Sequence, residues 1–90
     1  MSETYTYYPR VLEELRRHGL DPKPTTAPGR LRDAIRDLYR YEIRRLRQEL
    51  LARRIRREDY AGHVVELRKR YLLLSIPVEL WVVREEGREG

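Results

Sequence analysis

The sequence predicts an all-α fold: an antiparallel helical hairpin (about residues 29–54 and 58–74), a short N-terminal helix (about 9–18) and extended termini. Three observations carry that prediction. Apolar residues recur at helical spacing along Leu31–Leu50 and again along Tyr60–Leu74. All five prolines fall outside those two stretches. The link between the stretches is short, and a short link makes neighbouring helices run antiparallel.

Each element has a local reason. Pro9, preorganised for the first helical position, opens the N-terminal helix, which carries Val11, Leu12 and Leu15 on one side. Gly19 supplies the left-handed stop, and Leu20 is placed to fold back as the apolar contact of such a cap. The stretch DPKPTTAPG holds three of the five prolines, so residues 20–29 form a Pro-rich linker expected to be extended or polyproline-like. Thr25 or Thr26 is placed to cap the second helix, with Pro28 in its first turn. That helix carries Leu31, Ala34, Ile35, Leu38, Tyr39, Ile43, Leu46 and Leu50 in a stripe that drifts around its axis. At about 1.5 Å per residue it spans roughly 35–40 Å, which predicts that one end projects beyond the domain or meets a partner.

ARRIRREDY reads as a tight connection with Ile55 tucked beneath it. Glu58 and Asp59 suit the positive end of the third helix. Tyr60, Val64, Leu67, Tyr71 and Leu74 repeat at four, three, four and three, a coiled-coil-like seam. Ser75 and Pro77 break the helix, and VELWVV admits either a helical turn or an extended segment. Residues 1–90 thus read as one small helical domain, with an N-terminal arm (1–8) and a C-terminal arm ending in a polar, mobile tail (75–90).

Ninety residues lie near the lower end of sizes that bury a self-sufficient core. The absence of cysteine excludes disulfides and thiolate metal sites. MSETYTYYPR has neither the basic nor the apolar region of a signal peptide. The longest apolar run, Tyr71–Leu74, is far short of the roughly 20 residues a membrane span needs. No membrane span and a cytoplasmic location are therefore expected.

The net charge of +5 is unevenly placed. Residues 1–29 are balanced, residues 58–90 carry net −2, and residues 30–57 carry eleven Arg against Asp33, Asp37, Glu42 and Glu49. The excess is therefore a local field of the second helix. Arg32, Arg36, Arg40, Arg44, Arg47 and Arg54, at spacings of four, four, four, three and seven, form a ridge along one face. Arg outnumbers Lys eighteen to two across the whole chain, a bias that also fits ion-pair networks of thermal adaptation.

Three roles fit such a ridge. It is a solvated face if Asp33–Arg36, Asp37–Arg40, Glu42–Arg45 and Glu49–Arg53 pair within the helix, although four acids cannot neutralise eleven arginines. It is a phosphate track if RNA or DNA binds, because guanidinium forks fit phosphates. It is a docking face if a partner protein offers an acidic or aromatic surface. Nothing sharpens the nucleic-acid case: the chain has no zinc-finger spacing, no aromatic RNA-binding strand and no GXXG loop. In a helix-turn-helix arrangement Glu58 and Asp59 would sit at the groove-entering end and repel phosphate.

Catalysis finds no constellation. His18 and His63 have no second ligand at metal spacing, and His18 fits a cation at a helix C-terminus. Ser2 and Ser75 belong to no nucleophile–base–orienter set, and no Gly-rich phosphate loop occurs. No enzyme activity, cofactor or metal is expected. The aromatics say more. Tyr5, Tyr7 and Tyr8 precede the first helix, and Trp81 lies with Leu80, Val82 and Val83 near the C-terminus. They either complete a small core or serve as interface anchors.

Leu38-Tyr39-Arg40, followed by Arg44 and Arg45, resembles the LYR motif of small basic helical bundles. Those proteins serve as accessory or assembly factors for respiratory complexes and iron–sulfur proteins, and an acyl carrier protein binds them. Their motif opens the first helix and a phenylalanine lies downstream. Here it lies in the second predicted helix, and the chain has no Phe. The resemblance covers three to eight residues and adds one pointer to an adaptor.

The expectation is a non-enzymatic accessory subunit that docks on and stabilises a larger protein complex. Its partner-binding residues would be Tyr5, Tyr7, Tyr8, Arg36, Arg40, Arg44, Arg47, Arg54, Leu80 and Trp81. The alternative is an RNA- or DNA-associated protein whose ridge tracks phosphates. A homodimer through the third-helix seam is also compatible with the pattern.

Overall fold

Three α-helices follow one another in the computed structural model, which describes residues 3–83: α1 (Pro9–Arg17), α2 (Pro28–Leu51) and α3 (Arg57–Arg70). Two 3-10 turns, Leu72–Ser75 and Val78–Leu80, complete the described chain. The expected polar tail beyond Val83 lies outside the described residues.

Pro9 stands at the start of α1, and Val11 and Leu15 are its buried residues. Its end is closed as the sequence predicts. Gly19 takes φ 79°, the Gly19 amide donates to the Arg16 carbonyl and the Leu20 amide to that of Leu15, both at 3.0 Å. These are the two bonds of a Schellman cap, and Leu20 folds back against the core.

The linker is less extended than its prolines suggest. The Thr26 amide bonds the Lys23 carbonyl at 2.9 Å, and the Thr26 hydroxyl accepts from the Lys23 amide at 3.0 Å. This turn corrects the predicted cap of α2. With its hydroxyl used locally, Thr26 does not cap; Ala27 holds the cap position without a side-chain bond, and Pro28 starts the helix.

The C-terminus of α2 is also earlier than predicted. The helix stops at Leu51 because Arg53 turns left-handed, at φ 61°. The Arg53 amide then bonds the Leu50 carbonyl at 3.0 Å and the Arg54 amide that of Glu49 at 2.9 Å, the same closure that Gly19 gives α1. Arg54 therefore lies beyond the helix.

The third helix ends at Arg70 where the seam predicts Leu74. Both Tyr71 and Leu73 are buried, and residues two apart on an α-helix point to opposite sides. An uninterrupted helix would bury only one of them. Tyr71 leaves helical geometry at φ −114°, ψ 43°, and the chain rewinds into a 3-10 turn closed by Ser75 Oγ on the Leu72 carbonyl at 2.7 Å. VELWVV resolves into both of its options, a helical turn over Val78–Leu80 and an extended Val82.

The two arms zip together. Tyr7 and Val82 form an antiparallel bridge, with the Tyr8 amide on the Trp81 carbonyl at 3.1 Å and the Val83 amide on that of Thr6 at 2.8 Å. The linker joins them through the Tyr5 amide on the Pro24 carbonyl at 2.7 Å. Beneath this clasp lies the core: Tyr7, Val11, Leu15, Leu31, Ile35, Leu67, Tyr71, Leu73 and Trp81. Trp81 is 0% exposed and donates its indole N–H to the Ile76 carbonyl at 2.9 Å. His18 ties α1 to the end of α3, its ring stacked on Tyr71 at 4.4 Å and its Nε2 2.9 Å from the Arg70 carbonyl.

This core occupies one end of the molecule. Between Ile35 and Leu67 no residue is buried. The distal halves of α2 and α3 form a projecting two-helix hairpin, and the whole measures 59 × 21 × 16 Å. Its apolar seam, with Leu46, Leu50, Ile55, Tyr60 and Val64, is only half-buried. Two helices cover one stripe of each other, and no third layer lies over them among the described residues.

Candidate functional site

The charge excess of α2 becomes a shaped surface through Tyr39. Arg40, Arg44 and Arg47 rim a 230 Å³ depression whose floor is Tyr39 and Ile43. Tyr39 also borders a 240 Å³ depression lined by Arg68, Tyr71, Leu74 and Ser75. The two depressions meet at Tyr39, which lines both: α2 alone lines the first, while α2, α3 and the turn after α3 line the second, and their linings together hold four guanidinium groups and no carboxylate.

Helical geometry explains the arrangement. Tyr39 and Ile43 are four apart, as are Arg40 and Arg44, so an apolar row runs beside a cationic row. α3 adds Arg68 from across the seam. Tyr39 is set edge-on against Tyr71, with ring centroids 5.3 Å apart and planes at 66°. The Tyr71 hydroxyl in turn donates to Glu42 Oε2 at 3.2 Å. Burial first, and the Glu42 carboxylate second, raise the Tyr71 hydroxyl above its ordinary pKa, so it stays a neutral donor.

The arginines are less neutralised than i,i+3 and i,i+4 pairing predicts. Asp33 does pair with Arg36, at 2.8 Å. Glu49 instead reaches Arg54, at 2.9 Å. Arg40, Arg44, Arg45 and Arg47 make no ion pair among the described residues. The ridge of the sequence is thus divided. Arg40, Arg44 and Arg47 come together on the groove. Arg36 stands half-buried beside Asp33, with a buried Nε that lacks a hydrogen-bond partner. Arg54 is turned out of line past the end of α2, where Glu49 holds it; that contact lowers the Glu49 carboxyl from its ordinary pKa.

The aromatic residues divide as well. Trp81 and Tyr7 belong to the core, Tyr7 donating its hydroxyl to the Thr26 carbonyl. Tyr5 is half-buried with its hydroxyl on Glu3 at 2.7 Å. Tyr8 and Leu80, 43% and 57% exposed, remain available on the clasp. Sequence reasoning left Tyr39, Ile43, Arg68 and Leu74 out of the site. The signal for the first two was present in the tandem Tyr-Arg and Ile-Arg pairs, whereas Arg68 and Leu74 needed the α2–α3 packing.

The remaining concavities differ in kind. A 920 Å³ depression is an open surface along α1 whose Arg17 and Glu14 pair at 3.5 Å. No group of three or more His, Asp or Glu side chains that would hold a metal ion occurs among the described residues. No described helix is long and apolar enough to cross a membrane. Compared with family models, curated proteins and solved structures, the chain matches none.

Proposed function

We propose that this chain is a non-enzymatic accessory subunit that docks on an acidic face of a larger protein assembly and stabilises it. The groove around Tyr39 carries the proposal. Four arginines without a carboxylate among them attract an anionic surface, and the Tyr39–Ile43 floor rewards a partner that brings apolar side chains. Arg at the rim supplies orientation and specificity, and Tyr39 the desolvated contact. The half-exposed hairpin seam supports the same conclusion, since a partner helix laid along it adds the missing layer.

A phosphate track for RNA or DNA uses the same cations and leaves the apolar floor unused. Salt and mutation separate the two. Phosphate binding loses about 10³–10⁵ in affinity between 50 and 200 mM salt if six to ten phosphates are contacted. A protein interface anchored on Tyr39 falls far less. In a nuclease-treated pull-down, wild type should retain one acidic protein at constant ratio, and Tyr39→Ala should release it. The triple change Arg40→Glu, Arg44→Glu, Arg47→Glu should abolish either kind of association. Release of everything on nuclease treatment would favour the phosphate track. Trp81→Ala is unsuitable here, because Trp81 lies in the core and its loss costs about 3–5 kcal/mol of stability.

A further inference from the structure

The far end of the hairpin has a composition of its own. Residues 50–57 read LLARRIRR: four arginines, four apolar residues and no acid. Leu51 is 75% exposed, more than any other large apolar side chain among the described residues. With Leu50 and Ile55 it lines a 600 Å³ surface depression that also holds Arg53, Arg56, Arg57 and one carboxylate, Glu58. Arg54 and Arg56 have acidic neighbours in Glu49 and Asp59, at 2.9 and 3.6 Å. Arg53 and Arg57 make no ion pair among the described residues.

The backbone marks the same place. The ends of α1 and α2 close by the same pair of bonds, around Gly19 in one and Arg53 in the other. At φ 61° an arginine stands where glycine is easier, and an outlier of this kind points to a use for its side chain.

Shape limits what this tip meets. End-on the molecule measures 21 × 16 Å, roughly 340 Å², less than half of the about 800 Å² that each partner buries in a stable protein interface. A nucleic-acid backbone would reward the cations and leave the exposed leucine in water. A bilayer surface rewards both, because acyl chains accept apolar residues and anionic headgroups accept guanidinium forks.

We propose that the hairpin tip is a peripheral contact with an anionic membrane surface. It sets Leu51 and Ile55 at the boundary of headgroups and acyl chains, and Arg53, Arg54, Arg56 and Arg57 among the headgroups. The chain lies against the bilayer by this end and spans nothing. Tyr39 precedes Leu51 by twelve residues of α2, about 18 Å along its axis, so the groove stays clear of the bilayer for the partner proposed above.

Co-sedimentation of the full chain with vesicles tests this, using phosphatidylcholine alone or with about 30% phosphatidylserine, at about 150 mM salt. Wild type should partition to the anionic vesicles and not to the neutral ones. Arg53→Gly should weaken that partition about fivefold while raising the urea midpoint, because the cation and the strained backbone leave together. Leu51→Asp should weaken it about tenfold or more, with α-helical content unchanged. Arg30→Glu, at the start of α2 and roughly 30 Å from the tip, should change it by less than about twofold, since a Debye length is about 8 Å.

Wild type left in the supernatant with anionic vesicles overturns the proposal, as does equal partition to neutral ones. A Leu51→Asp variant that binds like wild type also overturns it, and would make the tip a general polyanion site open to nucleic acid. So does an Arg30→Glu loss as large as that of Arg53→Gly, which would trace the binding to overall charge. None of these residues lines the Tyr39 groove, so capture of an acidic partner remains an independent readout.

Discussion

Arg53 holds a backbone conformation that most L-residues avoid. At φ 61° it closes α2 where glycine is the ordinary choice, and the left-handed region costs a non-glycine residue about 1–2 kcal/mol. Part of that is returned because arginine loses less backbone entropy than glycine on folding. Arg53→Gly should therefore stabilise the protein by about 0.5–1 kcal/mol, read as a higher urea midpoint at unchanged slope. A lower midpoint would show that the Arg53 side chain contributes more than its backbone costs. Tyr7 gives a second prediction at this scale. Burial, followed by the nearby Tyr5, pushes its hydroxyl up to about 12, against an ordinary value of 10.0. The folded state thus holds the proton more tightly. Its contribution is fully present below pH 10 and is lost as pH rises toward 12. Tyr71 shifts in the same direction, so Tyr7→Phe should flatten this alkaline loss without abolishing it. Parallel stability curves for wild type and Tyr7→Phe between pH 9 and 12 would refute that assignment.

The helices differ from one another in what supports them. α1 is short but anchored at both ends, by Pro9 and the clasp at its start and by the Gly19 cap and the His18–Tyr71 stack at its end. Leu15 beneath it is 0% exposed, so Leu15→Ala should cost about 2–5 kcal/mol. α2 is anchored only in its first half, through Leu31 and Ile35. Past Ile35 it has only half-buried contacts, with α3 and the turn that follows α3, and Leu51 near the tip is 75% exposed. Leu51→Ala should change stability by less than about 0.5 kcal/mol. The same contrast should appear in hydrogen exchange. Amides of residues 44–62 should open with a smaller free energy than those flanking Leu15, Ile35 and Leu73. Uniform protection along α2 would contradict the division into a core end and a projecting end.

As a whole, the molecule is long for its size. Its Cα radius of gyration is 16.7 Å, whereas a compact chain of this length has about 12 Å. X-ray scattering of the monomeric protein should return the larger value. A radius near 12 Å would mean that the hairpin folds back on the core in solution. The extended shape follows from an uneven supply of apolar residues. Fully burying an aliphatic or aromatic side chain yields about 1.5–3 kcal/mol, and nearly all such burial is concentrated under the clasp. The far end carries its arginines instead, at a distance from the core that leaves two faces of the hairpin open.

Much of this was legible in the chain alone. Helix periods, the antiparallel connection, Pro9, Gly19 and the acidic start of α3 follow from local sequence, because helical geometry, fixed dihedrals and end charges act within a few residues. The arginine ridge was legible for the same reason. What local rules could not settle were competitions between equally local options. Thr26 spent its hydroxyl on the linker turn, Arg53 took a glycine position, and Tyr71 broke α3 so that Leu73 could also be buried. Nor does periodicity say which aromatic residues become core; Tyr7 and Trp81 went in while Tyr8 and Leu80 stayed out, a matter of how the arms pair. Local rules acting along the chain suffice for the helices and for the sign of the charge on α2. It took the packing of α3 on α2 to bring Arg68 to Tyr39, beside Arg40, Arg44 and Arg47, and to put Arg45 and Glu66 around a different depression. Two helices must pack before residues on different helices become neighbours.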